Sequence, residues 1–130
     1  MYELKIVSHF AAAHQLRNFG GKCEDLHGHN WKVEVYVSGQ RLEDNGLLID
    51  FKIIKDKTNE ILERLDHKFI NELKYFKETN PSSENIARYI FDSLSPDINN
   101  GNISVNRVTA WESETACATY TGSDSGADTP

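Results

Sequence analysis

The segment HNWKVEVYVS, residues 29–38, alternates apolar and polar side chains along most of its length. Successive side chains of a β-strand point to opposite faces, so Trp31 and the valines at alternate positions after it share one face. This alternation is typical of a half-buried strand. His29 does not follow the polar row, and we therefore expect a bulge or a sheet edge near it.

Three further strands are predicted on either side of this segment. Apolar residues recur with a period of two over residues 2–14, which indicates a strand before it. ISVNRVTAWES, residues 103–113, and TACATYT, residues 115–121, look like a closing pair of strands. RLEDNG, residues 41–46, contains an Asn-Gly pair and is expected to form a turn.

Two helices are predicted in the middle of the chain. Residues 52–65 carry an apolar stripe at helical spacing. NPSSENIARYIFDSL, residues 80–94, reads as a helix entry that either Ser82 or Ser83 can cap. SPDINNGN, residues 95–102, is expected to be a loop after this second helix.

The predicted order is strand, strand, helix, helix, strand, strand. It indicates an α+β fold, with a four-stranded antiparallel sheet and both helices on one face. The exposed edges of such a small sheet invite association with further subunits. With no linker in 130 residues, we expect a single domain over residues 1–121 and a flexible tail over residues 122–130.

Composition and charge narrow the classes of function. A content of 38% hydrophobic and 26% charged residues is typical of a globular protein. The net charge of -6 disfavours nucleic acid or an anionic membrane as the partner. Charges interrupt the first apolar run, and no apolar stretch approaches the roughly 20 residues of a membrane span. Two cysteines make no disulfide framework, so a reducing cytoplasm is expected.

Three histidines have the spacing of a metal site. His27 and His29 lie two residues apart, so in a strand they point to the same side. His14 has the same parity as the apolar row of the first strand, whereas His9 has the opposite parity and is not expected to be a ligand. If the two strands pair, three imidazoles converge and leave the fourth zinc position open, as in catalytic sites. For HGH alone, a glycine turn between surface histidines is the simpler interpretation; the third histidine and a nearby thiol favour a metal.

The residues alone leave several roles possible for each of the other reactive side chains. Cys23 is a fourth metal ligand, a general base or an inert thiol, and only a nearby cation would activate it. Asp66 can orient His67 for proton transfer, although a histidine at a helix C-terminus explains the pair more simply. Glu112 could accept two parallel hydrogen bonds from an aminopyrimidine edge, with Glu114 as the competing candidate, or be a solvated carboxylate.

The motifs FAAAH, CEDLHGH, LDH, PSSENIA and WES occur in this order across positions 10–113. In this the chain resembles the 6-pyruvoyl-tetrahydropterin synthase / 6-carboxy-tetrahydropterin synthase family. The resemblance implies the tunnelling fold, in which trimers form a barrel and stack as a homohexamer with active sites between subunits. It implies Zn²⁺ bound by three histidines, a cysteine base, a relay pair from a neighbouring subunit, a glutamate that anchors the pterin, and pocket-lining serines. By position, the zinc ligands are His14, His27 and His29, and the base is Cys23. The relay pair is Asp66 with His67, the anchoring glutamate is Glu112, and the serines are Ser82 and Ser83.

The spacing between the thiol and HGH separates members of this family. Three residues lie between Cys23 and His27, which resembles the 6-carboxy enzymes of the queuosine route. The expected reaction is that of a zinc-dependent lyase, which converts 7,8-dihydroneopterin triphosphate to 6-carboxy-5,6,7,8-tetrahydropterin with release of acetaldehyde and triphosphate. Glu24 resembles the glutamate of relatives that form 6-hydroxymethyl-dihydropterin for folate synthesis, and otherwise is a solvated loop residue. A 6-pyruvoyl product is also compatible with these motifs, and so is a zinc- and pterin-binding module without turnover.

Overall fold

A computed structural model describes residues 1–17 and 25–123 of the protein. Its four strands form one antiparallel sheet in the order β1-β2-β3-β4, and two α-helices pack against it. The elements, in chain order, are β1 (Tyr2–His14), β2 (His27–Gly39), α1 (Phe51–Leu62), α2 (Ser83–Ile98), β3 (Ile103–Trp111) and β4 (Cys117–Tyr120). The predicted α+β architecture is confirmed. No helix within the described ranges is both long enough and apolar enough to cross a bilayer.

The ladder between β1 and β2 fixes the geometry of the sheet. Its register runs continuously from Tyr2 opposite Gly39 to His14 opposite His27. Of the two alternatives expected near His29, the bulge is absent, whereas the sheet edge is present, because β2 pairs with β3 only from Lys32 onward. The register shift lies instead between Tyr36 and Val37, where β2 pairs with β3.

The core lies between the sheet and the helices. Alternate residues of β2 from Trp31 to Val37 are fully buried, as the period of two predicted. They meet the apolar stripes of both helices in one continuous cluster. The helical residues in this cluster are Ile54, Ile61, Leu62, Ile86, Ala87, Ile90, Leu94 and Ile98.

Side-chain caps begin both helices. The Asp50 carboxylate accepts a hydrogen bond from the Lys52 N–H, and Ser82 Oγ accepts one from the Asn85 N–H. The loop predicted over residues 95–102 is partly wrong, because α2 continues to Ile98 and includes Pro96. Proline removes one backbone donor, yet the helix continues past Pro96 and buries Ile98.

The face of the sheet without helices is polar. The Glu34 carboxylate accepts hydrogen bonds from Trp111 Nε1 at 2.6 Å and from Lys5 Nζ at 3.2 Å. Burial by itself raises the pKa of Glu34, but these two hydrogen bonds and the charges of Lys5 and Lys32 outweigh it, so the pKa lies below its usual value. Trp111, the last residue of β3, is thereby tied to the middle of the sheet.

Two neighbouring isoleucines of α1 test the packing directly. Ile54 is fully buried and Ile53 is 47% exposed. We expect Ile54→Ala to lower the free energy of unfolding by about 2–5 kcal/mol, because it leaves a cavity. Ile53→Ala should change it by no more than about 0.5 kcal/mol. Urea unfolding at one protein concentration measures both, and equal losses would contradict the orientation of α1.

Candidate functional site

Three imidazoles meet at one end of the sheet, on the face that carries the helices. In the register of the first ladder, His14 lies opposite His27, and Ala12 lies opposite His29. The three ring centroids are 4.5–5.3 Å apart. Because these histidines continue the buried rows of their strands, the pairing that forms the core also brings the imidazoles together.

Backbone carbonyls set the tautomer of two of these rings. His14 Nδ1 lies 2.7 Å from the carbonyl oxygen of Pro81, and His27 Nδ1 lies 2.9 Å from that of Asp25. A carbonyl only accepts, so each Nδ1 carries a proton, and in the neutral ring Nε2 then holds the lone pair that a metal ion would bind. Metal-binding histidines are oriented in this way, with the second nitrogen held by a carbonyl or carboxylate.

Trp31 separates the imidazoles from the apolar core. Its indole is fully buried, stacks on Phe10 and contacts the edges of the His14 and His29 rings at centroid distances of 5.1 and 5.7 Å. A rigid aromatic floor limits the positions that the imidazoles can take. The site is therefore fixed on its inner side by packing.

Glu112 completes the cluster from the turn after β3. One carboxylate oxygen lies 3.3 Å from His29 Nε2, and the other lies 3.7 Å from His14 Nε2. Ser83, the first residue of α2, donates its hydroxyl to the same carboxylate at 3.2 Å. The N-terminus of a helix also favours a negative charge at this position.

The donor set fits a metal ion. The ligand atoms of His14, His27, His29 and Glu112 all lie within 4.8 Å of one another. Within the described residues, His14 Nε2 is buried and accepts no hydrogen bond, which would be costly without an ion to bind its lone pair. Three imidazoles and a carboxylate are ligands that zinc commonly takes.

The Asp66–His67 pair lies at the edge of β1. Asp66 accepts a hydrogen bond from the Ala11 N–H at 2.9 Å, and His67 donates its own N–H to the Ala11 carbonyl. The Ala11 hydrogen bond lowers the pKa of Asp66 below its usual value, and His67 acts in the same direction. His67 Nδ1 lies 2.9 Å from the other Asp66 oxygen, and its φ of 57° places it in the left-handed region. The carboxylate thus orients the ring and leaves Nε2 for proton exchange.

Comparison with known proteins identifies the family. The family model for 6-pyruvoyl tetrahydropterin synthase matches residues 3–123. The chain belongs to this family. The 6-carboxy-5,6,7,8-tetrahydropterin synthase of Synechocystis is 38% identical over 65% of this chain and 68% of its own.

Solved structures of the family share the fold. The 6-pyruvoyl tetrahydropterin synthase of Caenorhabditis elegans superposes with a TM-score of 0.82 at 27% identity, over 94% of this chain and 96% of its own. A Plasmodium vivax 6-pyruvoyltetrahydropterin synthase, solved as a mutant with its catalytic glutamate replaced by alanine, gives a TM-score of 0.73 at 27% identity. That match covers 92% of this chain and 96% of the other. The predicted tunnelling fold is thereby confirmed for the subunit.

The other predicted site residues that the structure describes differ in their relation to the cluster: Ser83 contacts it through Glu112, whereas His67 faces a depression that His29 also lines. His67 lines an open surface depression of about 550 Å³ beside β1, and its side chain is 81% exposed. Glu114, the competitor of Glu112, lines a separate depression that includes His9. Cys23 and Glu24 lie outside the described residues, so their predicted roles stay predictions.

Two asparagines that the sequence did not single out hold the chain beyond His14. Asn71 Oδ1 accepts from the Gln15 N–H at 2.9 Å, while Asn71 Nδ2 donates to the Gln15 carbonyl at 2.7 Å. Asn80 makes the same pair of bonds with the backbone of Arg17, at 2.8 and 3.0 Å. These amides bond the backbone as a neighbouring strand would, and they continue the ordered chain past the histidine cluster. The only signal in the sequence is that each amide lies near a predicted motif: Asn71 is four positions after the histidine of LDH, and Asn80 directly precedes PSSENIA.

Removing either amide should release a different backbone group. We expect Asn71→Ala to accelerate hydrogen exchange of the Gln15 amide more than that of Arg17, and Asn80→Ala to do the reverse. Because Asn71 is largely buried, its loss should also lower stability by about 1–3 kcal/mol. Exchange followed by NMR measures both amides. Asn45→Ala, in an exposed turn, serves as the control, and equal acceleration at both amides in each variant would contradict two separate clamps.

Proposed function

We propose that this protein is a zinc-dependent 6-carboxy-5,6,7,8-tetrahydropterin synthase of the queuosine route. Its substrate would be 7,8-dihydroneopterin triphosphate, and acetaldehyde and triphosphate would be released. The observation that carries the proposal is the convergence of three imidazoles with Glu112 in a member of this family. The Synechocystis relative of the same name supports the 6-carboxy product.

His14, His27 and His29 would hold the Zn²⁺ ion through their Nε2 atoms. When bound, zinc supplies Lewis-acid polarisation of oxygens on the substrate side chain, which makes the neighbouring C–H protons more acidic. Glu112 would accept hydrogen bonds from the aminopyrimidine edge of the pterin and so set the register of the side chain. Ser82 and Ser83 would line the same pocket, with Ser83 holding the carboxylate.

Proton transfer would be divided between Cys23 and His67. The Cys23 thiolate would remove a proton from the substrate side chain, and an adjacent cation would favour the thiolate. His67, oriented by Asp66, would exchange the partner proton through Nε2.

The exposure of His67 supports an active site shared between subunits. An imidazole that is 81% exposed and held in a fixed orientation can serve a neighbouring copy. The strands β1 and β4 form the edges of the sheet, where further strands can pair. We therefore propose the homohexamer of stacked trimers that the resemblance implied, in the reducing cytoplasm that the cysteine content indicated.

The second candidate product is 6-hydroxymethyl-dihydropterin. The catalytic residue of the Plasmodium vivax enzyme is a glutamate, and Glu24 follows Cys23 directly. In this second reaction the Glu24 carboxylate acts as the base, alone or together with the thiol. Product analysis distinguishes the two reactions.

Metal binding tests the histidine cluster. We expect His27→Ala to lose stoichiometric zinc and activity together, since one of three imidazole ligands is removed. His9→Ala, on the other face of β1, should retain both. Zinc content by mass spectrometry after dialysis measures binding, and full zinc occupancy in His27→Ala would contradict the assignment.

Product identity tests the reaction and the two candidate bases. The wild-type protein, incubated with 7,8-dihydroneopterin triphosphate and zinc, should give 6-carboxy-tetrahydropterin by mass spectrometry. Cys23→Ala should keep its zinc and lose turnover by at least about 100-fold, because a general base is removed. Glu24→Gln should change the ratio of hydroxymethyl to carboxy product only if Glu24 acts as a base. Zinc and pterin binding by the wild type without any product would favour a binding module.

A further inference from the structure

The Glu112 carboxylate lies where a ligand of the metal would lie. Two ligands of a tetrahedral zinc ion with bonds of about 2.0 Å are about 3.3 Å apart. Glu112 Oε1 lies 3.3 Å from His29 Nε2, and the other carboxylate oxygen, Oε2, lies 3.7 Å from His14 Nε2. Charge-assisted hydrogen bonds are shorter, at about 2.7–2.9 Å. The spacing therefore matches shared coordination better than direct pairing.

Glu112 is held less firmly than the imidazoles. Its side chain is 33% exposed, whereas that of His14 is 1% exposed. Apart from the two imidazoles, the Ser83 hydroxyl is the side chain among the described residues that bonds the carboxylate, while the Glu112 N–H donates to the Ala116 carbonyl and anchors only the backbone. The carboxylate can therefore move while the backbone of the turn stays in place.

We propose that Glu112 is a displaceable fourth metal ligand. Without substrate its carboxylate coordinates the ion and closes the tetrahedron formed with the three histidines. When a pterin arrives, the N–H groups of its ring bind the carboxylate, which leaves the ion and opens one coordination position. This inference rests on the proposed function, since it gives one residue both the pterin-anchoring role and a role at the metal.

Such an exchange links metal and ligand binding. Because pterin and metal compete for the same carboxylate, a bound pterin must alter the coordination of the ion. Ser83 would steer the carboxylate between its two partners. Loss of the carboxylate should weaken the metal in the resting protein and make its coordination insensitive to pterin.

Cobalt replacement tests the proposal without turnover. The full chain is loaded with Co²⁺, whose visible absorption reports coordination number, and its affinity is measured by competition with a chelator. We expect Glu112→Gln to bind Co²⁺ at least about tenfold more weakly than wild type, with a changed spectrum. Oxidised neopterin, which lacks the triphosphate, should shift the wild-type spectrum and leave that of Glu112→Gln unchanged.

Two further variants keep the result interpretable. Glu114→Gln removes a neighbouring carboxylate outside the cluster and should match wild type. Glu112→Asp keeps a shorter carboxylate and should give intermediate affinity, which separates ligand loss from misfolding. Identical affinity and spectra for wild type and Glu112→Gln would overturn the proposal, even if wild type forms the pterin product. A cobalt-sensitive Glu112 in a protein that forms no product would instead overturn only the proposed reaction.

Discussion

The antiparallel register between β1 and β2 is the constraint on which the site depends. It places His14 opposite His27 and continues the buried row of β2 into HGH. A slip of one residue would turn one strand's histidines to the polar face, and with them its core residues. Burial of the core and convergence of the histidines are therefore enforced by the same pairing. The positions of the histidines are therefore fixed by the packing of Trp31 and of the valines that follow it in β2.

The start of α2 and the end of β3 then converge on this pair of strands. The turn before α2 supplies the Pro81 carbonyl, the first residue of α2 supplies the Ser83 hydroxyl, and the turn after β3 supplies Glu112. Each group is polar and lies at an element end, where backbone groups lack regular partners. Glu34 steadies the same end of β3 from the opposite face by holding Trp111.

Much of this arrangement follows from periodicity. The period of two predicted the strands and the shared face of the histidines, and the helical stripes predicted the core side of α1 and α2. The end of α2 was misjudged because Pro96 and the polar residues after it read as a break, whereas burial of Ile98 continues the helix. The asparagine clamps and the approach of Glu112 join residues far apart in sequence, and such contacts have no local signature. The expected reaction was inferred from the order of the family motifs, because periodicity carries no information about it.

The side chains of the site differ in exposure according to their proposed roles. The groups that would hold an ion are anchored from the buried side: His14 is enclosed, and its tautomer is fixed by a backbone carbonyl. The groups that would meet a substrate are progressively more open, from Glu112 to His67. A fixed ion needs rigid ligands, whereas proton transfer and ligand exchange need groups that solvent and substrate can reach. His67 has a left-handed backbone conformation and is bonded to both Asp66 and Ala11. It is therefore accessible to substrate and still held in a fixed orientation.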